Sequence, residues 1–413
     1  MSITSKLNPT CVLAFSGGLD TSFCVPYLNE RGFDVITASI NTGGFDTVEL
    51  ARIGSLSKQL GAIKHVAIDA KALLWQDYLR YLIFGNVLRG QLYPLSVSAE
   101  RVCQAKLVAE VAIANQCSVI CHGSTGAGND QVRFDVAFRV LIPGCTLITP
   151  IREHGFSREH EQAVLATLGI VLPARTQKYS VNEGLWGTSV GGAETHDSWA
   201  HLPESAYPGG EIDSNQVPVD CVIDFEKGVP TFLNGQVMDP VTLIEALNAL
   251  GSGFGIGRGI HLGDTILGIK GRVGFEAPAA HLLITAHREL EKLTLSGKQL
   301  YNKEQMGALY GSLLHEGHYF DPLARDLEAY LTSSQDRVTG AVRLKLRPYC
   351  FQVEGVRSPH SLMQSKVASY GESANAWTGA EAAGFCKLFG VGQQVALSVI
   401  PAKAGIQVPQ ILG

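Results

Sequence analysis

Two short strings hold most of the reactive potential of this sequence. The first is Ser16-Gly17-Gly18-Leu19-Asp20-Thr21-Ser22, set between an apolar run and a helical pattern. Adjacent glycines let the backbone turn tightly, and Asp20, Thr21 and Ser22 suit the first turn of a helix. Backbone N–H groups at such a start have no partner inside the helix and favour a phosphate. An ordinary strand–turn–helix junction would need only the Gly-Gly pair, so the full string is the more specific signal. It is not a P-loop, which would require Gly-Lys-Ser/Thr, nor a dinucleotide fingerprint, which would require G-x-G-x-x-G. The second string, residues 122–134, reads His-Gly-Ser-Thr-Gly-Ala-Gly-Asn-Asp-Gln-Val-Arg-Phe and also follows an apolar run.

Such turns need strands to present them. Apolar runs at residues 11–15, 35–40, 63–68, 118–121 and 146–149 alternate with amphipathic segments at 21–30, 46–60, 99–115 and 130–140. That alternation predicts an α/β fold, with a doubly wound and mostly parallel sheet covered on both faces. Ligands of such sheets sit at the carboxyl ends of the strands, which singles out the turns after Phe15, Ile40 and Cys121. Beyond a polar junction at 173–178 the pattern changes to α+β. It is loop-rich to about Pro218, with strands expected at 219–225, 230–233 and 340–346 and helices at 240–250, 279–292 and 322–332. The boundaries follow: one domain over 1–172, a second over 173–357, an arm over 358–397 and a tail over 398–413. The arm carries a final helix at 379–389, and the tail, without periodicity, is expected to be poorly ordered.

At 413 residues the chain exceeds what one core usually holds. Apolar residues at 46%, charged residues at 17% and a mean hydropathy of +0.12 exclude a disordered or collagen-like chain. A net charge of −5 without a basic run argues against a general nucleic-acid partner. The start lacks a leader pattern and no run reaches the ~18 apolar residues of a membrane span, so no membrane partner is expected. Nine scattered cysteines read as reduced thiols of a cytoplasmic protein. Neither Cys117-x3-Cys121 beside His122 nor His315-Glu-Gly-His318 makes a convincing metal site, the latter for want of a third ligand and because Gly317 interrupts a helix. The glycines of 251–259 follow a helix and read as its exit and a mobile loop.

The first string resembles the pyrophosphate loop of ATP pyrophosphatases, which split ATP between its α and β phosphates to adenylate a substrate. The second resembles the signature of the argininosuccinate synthases, and the likeness extends from about Val12 to Phe389. Further pieces are Tyr179-Ser180, Leu185-Trp-Gly-Thr-Ser189, Asp239-Pro240 and Phe275-Glu-Ala-Pro278. The resemblance implies a ligase that couples citrulline and aspartate in arginine biosynthesis, turning ATP into AMP and diphosphate through a citrullyl-adenylate. It implies ATP as co-substrate with Mg2+ carried on the triphosphate, no prosthetic group, and a homotetramer joined through the arm. Carried over by position, Ala14, Phe15, Ser16, Gly17, Gly18, Leu19, Asp20, Thr21 and Ser22 wrap the triphosphate, while Ile40 and Gly123 line the adenosine side. Thr125, Asn129 and Asp130 hold aspartate. Tyr93, Ser98, Asn129, Arg133, Ser180 and Ser189 hold citrulline, with Arg133 as a two-pronged carboxylate partner. Asp20, Asp130 and Arg133 stand nearest the chemistry.

The chain also departs from that pattern. Asn41-Thr-Gly-Gly44 replaces the common Asp-Ile-Gly, and Gly126-Ala-Gly-Asn129 lacks the lysine of Gly-Lys-Gly-Asn. The citrulline-contacting Glu and Tyr of the family fall on Gly263 and Phe275, and Asp264 is expected to restore the missing carboxylate through a one-residue shift. An alternative is a pocket for a modified citrulline or another ureido compound. Ammonia- or sulfur-using relatives and a catalytically silent scaffold are the remaining readings. Against the first stand the lack of room upstream of Ser16 for a glutaminase and of a convincing cysteine pair. Against the second stand the intact Asp20, Asn129, Asp130 and Arg133.

Overall fold

The alternating apolar runs of the first 150 residues fold into a five-stranded parallel sheet. Its strands are β1 (Thr10–Ala14), β2 (Asp34–Asn41), β3 (Lys64–Asp69), β4 (Val119–Cys121) and β5 (Thr146–Ile148), in the order β3-β2-β1-β4-β5. The computed structural model describes residues 8–126, 128–172, 178–368 and 376–399. Within β1, Val12 packs into one apolar cluster while Cys11 and Leu13 pack into another, so both faces of the sheet are covered. Burial on both faces explains why these strands read as continuous apolar runs instead of alternating ones. Helix α1 (Leu19–Glu30) follows β1, and helix α2 (Thr47–Gln59) follows β2 with Asp46 capping its start through Glu49 N–H at 2.7 Å.

The chain after residue 178 builds two antiparallel sheets. One has four strands in the order β11-β12-β7-β6: β6 (Ser180–Asn182), β7 (Thr188–Gly191), β11 (Arg258–Asp264) and β12 (Lys270–Glu276). The other has five, in the order β10-β9-β8-β13-β14, from β8 (Val219–Glu226), β9 (Val229–Leu233), β10 (Gln236–Val237), β13 (Gly340–Arg347) and β14 (Cys350–Arg357). The larger core cluster joins Val12 and Ile36 of the parallel sheet to Trp186, Phe275 and Leu283 of this second half.

Three expectations are corrected here. The stretch before Pro218 is not merely loop, because β6 and β7 pair within it. The glycine-rich segment past residue 251 leads into the β11–β12 hairpin, where glycines accommodate neighbouring rings: a Cβ on Gly259 would lie 2.5 Å from Phe275 Cζ. The Gly297–Glu316 helix was not anticipated, since its apolar residues are thinly spread, and it ends where Gly317 turns left-handed at φ +82.

Residues up to His360 form one compact unit and those from Ser361 onward a second. In the second, a helix capped by Thr378 runs over Gly379–Ser398, past the expected stop at Phe389, and exposes Phe385, Leu388 and Phe389. The junction residues 173–177 and the tail residues 400–413 lie outside the described residues. Among the described residues, no helix is long and apolar enough to cross a membrane.

Candidate functional site

In this strand order the chain leaves β1 toward β2 on one side and β4 lies on the other, so the carboxyl ends of β1 and β4 flank the switch point of the sheet. Open α/β sheets bind ligands in that crevice. Both sequence strings emerge there. Gly17 adopts φ +68, and a Cβ on it would sit 2.8 Å from Ile53 Cγ1, so the turn needs glycine for conformation and for space. Gly18 caps α1 in extended conformation without a side-chain bond, which leaves the first N–H groups of the helix pointing into the crevice. Thr21 Oγ1 donates to Gly18 O at 3.3 Å and lies 3.2 Å from Ser16 Oγ, pinning the turn from inside. Ser22 Oγ is buried and has no partner among the described residues.

The second string lies directly against the first. A Cβ on Gly123 would be 3.1 Å from Thr21 Cγ2 and 3.2 Å from Thr21 N. Just before it, His122 Nδ1 accepts from Ser124 N–H at 3.3 Å, so Nε2–H is the group that meets Asp135 at 2.8 Å. Arg152 bonds Asp135 at 3.1 Å and Gln131 at 3.1 Å, bracing the Asp130–Leu141 helix under the turn. Ile40 is buried at the end of β2 beside this crevice, and Asn41 bonds its own turn, accepting from Gly43 N–H at 2.9 Å. That turn is clamped from below. The buried Glu100 carboxyl, pushed up to about 8 by burial, accepts from Trp186 N–H at 3.2 Å and Thr42 O–H at 3.4 Å.

One other acid stands at the Ser16–Ser22 turn. Glu161, on the Arg158–Thr167 helix that packs on α1, is buried beside Asp20 with one oxygen lacking a partner among the described residues. Burial, and then the Asp20 charge, push its carboxyl up to about 8.

Behind the crevice lies a wall of side chains. Asp130 accepts from Arg101 Nε at 2.8 Å and from Arg133 Nη1 at 3.0 Å. Burial pushes the Asp130 carboxyl up, but the Arg101 and Arg133 guanidiniums reverse this and hold it below its usual range. Arg101 continues to Asn182 Oδ1 at 2.8 Å, tying the parallel sheet's helix to β6. Arg133 is buried and donates through Nε to His315 O at 2.9 Å, with Nη2 3.2 Å from His315 Nδ1. Ser98 Oγ meets the same Nδ1 at 3.1 Å. Tyr93 stacks on His261 at 5.2 Å and leans on Phe275 at 5.3 Å. Asn129 Oδ1 accepts from Ile266 N–H at 2.9 Å, so the tip of the β11–β12 hairpin is docked on the second string.

The structure thus gathers Ser16–Ser22 with Gly123, and Tyr93, Ser98, Asp130 and Arg133 with one another. Thr125 is exposed on its turn, and Ser180 is exposed on β6, an edge of its sheet. Ser189 is buried opposite Phe275 in the β7–β12 pair. Phe275 itself has no exposed surface and packs between the rings of Tyr93 and His281. Asp264 does not turn inward. Strand pleating puts it on the face opposite Gly263, where it is half exposed and pairs with Lys270 at 2.7 Å. Arg101, Asp135, Arg152 and Glu161 escape the sequence reading, and His315 enters it only as a metal ligand set aside, because their partners lie 13 to 217 residues away except where one helical turn separates them. Among the described residues, no group of three or more His, Cys, Asp or Glu side chains is placed to hold a metal.

Known proteins resemble this chain in sequence over most of its length. Residues 10–171 match the family description "Arginosuccinate synthase N-terminal HUP domain", and residues 179–396 match "Arginosuccinate synthase C-terminal domain". The argininosuccinate synthase of Dictyoglomus turgidum is 38% identical over 382 residues, covering 92% of this chain and 95% of that protein. That of Xanthomonas campestris is 39% identical over 388 residues, covering 92% and 96%. That of Methanocaldococcus jannaschii is 37% identical over 363 residues, covering 87% and 91%. With both family regions matched in order and identity of this depth over nine-tenths of the length, this chain belongs to the argininosuccinate synthase family.

Proposed function

We propose that this chain joins L-citrulline to L-aspartate with conversion of ATP to AMP and diphosphate, releasing argininosuccinate. The observation that carries the reading is the contact of Gly123 with Thr21, which brings both family strings to one crevice at the switch point. The ureido oxygen of citrulline attacks the α-phosphate and diphosphate leaves, forming a citrullyl-adenylate. The aspartate amine then attacks the ureido carbon, and AMP departs with the oxygen. A ureido oxygen is a poor leaving group until it is phosphorylated, so the enzyme's task is mainly positioning and charge stabilisation. The main-chain N–H groups at the start of α1 suit the negative charge that builds on the phosphates, and Ser16, Thr21 and Ser22 supply hydroxyls around them.

In this reading Ala14–Ser22, Ile40 and Gly123 take the nucleotide, with Mg2+ arriving on the triphosphate as part of the substrate. Thr125, Asn129 and Asp130 take aspartate. Tyr93, Ser98, Asn129, Arg133, Ser180 and Ser189 take citrulline, with Phe275 supporting Tyr93. Three of the five N–H groups of Arg133 are engaged within the protein, so two remain for a carboxylate. Placement in the cytoplasm is supported by nine unpaired cysteines, which suit a reducing compartment. Assembly as a homotetramer through residues 358–397 is supported by the apolar side chains exposed on the Gly379–Ser398 helix. The test is exchange of labelled diphosphate into ATP. Exchange that depends on citrulline, followed by AMP release on adding aspartate, is the expected result; exchange without any ureido compound would overturn the reading.

A further inference from the structure

His315 lies in the last turn of the Gly297–Glu316 helix, and the left-handed Gly317 ends that helix beside it. Its ring is held by two partners on one side, Ser98 Oγ at 3.1 Å and Arg133 Nη2 at 3.2 Å, both facing Nδ1. A guanidinium can only donate, so Nδ1 carries a lone pair. Burial, and then the Arg133 charge, push the ring down to about 2, so the imidazole is neutral and its one proton sits on Nε2. That Nε2–H is buried, in a residue 5% exposed, and has no partner among the described residues. Buried donors are rarely left unpaired in a finished structure, and such a group often awaits a ligand.

The surroundings say which ligand. Ser98 and Arg133 belong to the residues proposed above for citrulline, and Tyr93 and His261 form the adjoining ring stack. A Cβ on Gly263 would lie 2.5 Å from His261 Nε2, so His261 fills the space over Gly263. Asp264 is turned away to Lys270. Arg89, whose charge also bears on the His315 ring, is a cation as well and lies 3.9 Å from Glu316. Asp130 is already held by the Arg101 and Arg133 guanidiniums, so what this wall leaves to a ligand is N–H donors, which match an acceptor oxygen.

We propose that His315 is a substrate-contacting residue of this chain, donating its Nε2–H to an oxygen of the ureido amino acid and selecting for it. The inference rests on the ligase reading above and deepens it. Two substitutions separate the contact from a merely structural role. His315→Asn keeps an acceptor near the Nδ1 position for Arg133 and Ser98 but ends short of Nε2. His315→Gln places an N–H donor near the Nε2 position and gives up the Nδ1 acceptor.

In citrulline-dependent diphosphate exchange with the full chain, His315→Asn is expected to raise the citrulline KM about tenfold, with the ATP KM and melting temperature near wild type. His315→Gln is expected to keep the citrulline KM within about threefold of wild type, less than the loss of one such bond. The opposite order, equal rises in both variants, or no change in either would overturn the proposal, since the ring would then serve only to hold Arg133 or fill space. A readout independent of the variants' stability uses the wild-type chain with 15N-labelled histidine. The Nε2–H resonance of His315 should move when citrulline is added with an unreactive ATP analogue, and a resonance that stays still overturns the contact. If wild type shows no ureido-dependent exchange at all, the ligase reading fails and takes this inference with it. If wild type exchanges and the variants contradict the pattern, only the inference falls.

Discussion

Around Gly17, Gly18 and Gly123 the binding surface is main chain, shaped by turns a few residues long. Around Arg133 it is side chain, assembled from the Ser98–Ala114 helix, the Asp130–Leu141 helix, β6 and the end of the Gly297–Glu316 helix. The two surfaces adjoin at Asn129 and Asp130, which lie inside the second string where its turn gives way to the Asp130–Leu141 helix. In the proposed reading the main-chain surface takes its affinity for anions from the backbone itself, so few of its side chains are irreplaceable. The side-chain wall depends on matched charges in a buried place, where removing one partner strands another. The comparison predicts that the wall fails in stability when one of its charge pairs is broken, whereas the crevice fails in nucleotide affinity.

The strongest test is Asp130→Ala. It leaves the Arg101 and Arg133 guanidiniums facing each other without an anion, and Arg133 cannot reach water. Truncating one partner of a buried pair costs ~3–5 kcal/mol, and the partial exposure of Asp130 places this case near 3. Urea unfolding measures it. A variant as stable as wild type would show that the wall is not one charge-coupled unit.

Next is the acid beside the Ser16–Ser22 turn. The folded value of Glu161, about 8, lies above the unfolded 4.5, so the folded chain holds the extra proton between them. Its stabilising effect is complete below the unfolded value and is lost as pH rises toward 8. At up to ~1.4 kcal/mol per pH unit, wild type should lose about 2 kcal/mol relative to Glu161→Gln between pH 5 and 7. Parallel stability curves for the two proteins would remove Glu161 from the account of the crevice.

Gly17→Ala should act on nucleotide affinity with less effect on the fold. A left-handed alanine costs ~1–2 kcal/mol, and Ile53 must also shift. The expected outcome is an ATP KM raised about tenfold, in line with that cost, and an unchanged citrulline KM. Equal rises in both constants would mean that the two surfaces are not separable.

These differences also explain what was legible beforehand. The parallel sheet and the crevice follow from local pattern, as does the place of Ser16–Ser22 at the mouth of that crevice, because strand and turn chemistry are written in neighbouring residues. Arg133 was picked out as a carboxylate partner, yet its hold on His315, 182 residues away, has no local trace. Arg101 sits four residues after the Tyr93–Val97 turn, and nothing nearby marks it as the second guanidinium on Asp130. The β11–β12 hairpin was read as loop because glycine at 255, 257, 259, 263, 268, 271 and 274 hides strand propensity. In the fold most of those glycines make way for rings and backbone, as at Gly259 under Phe275.

Asp264 is where the local reading and the fold part most plainly. One residue separates it from Gly263, where the resemblance implies a carboxylate, and along a strand one residue means the opposite face. A register slip that turned Asp264 inward would also turn His261 outward and undo its stacking on Tyr93. It would break the docking of Ile266 N–H on Asn129 as well. Asp264→Ala should therefore leave the citrulline KM unchanged. Its stability cost is that of an exposed ion pair with Lys270, about 0.5 kcal/mol and smaller still in high salt. A citrulline KM raised tenfold by this substitution would show instead that the hairpin shifts when substrate binds and that the carboxylate is supplied after all.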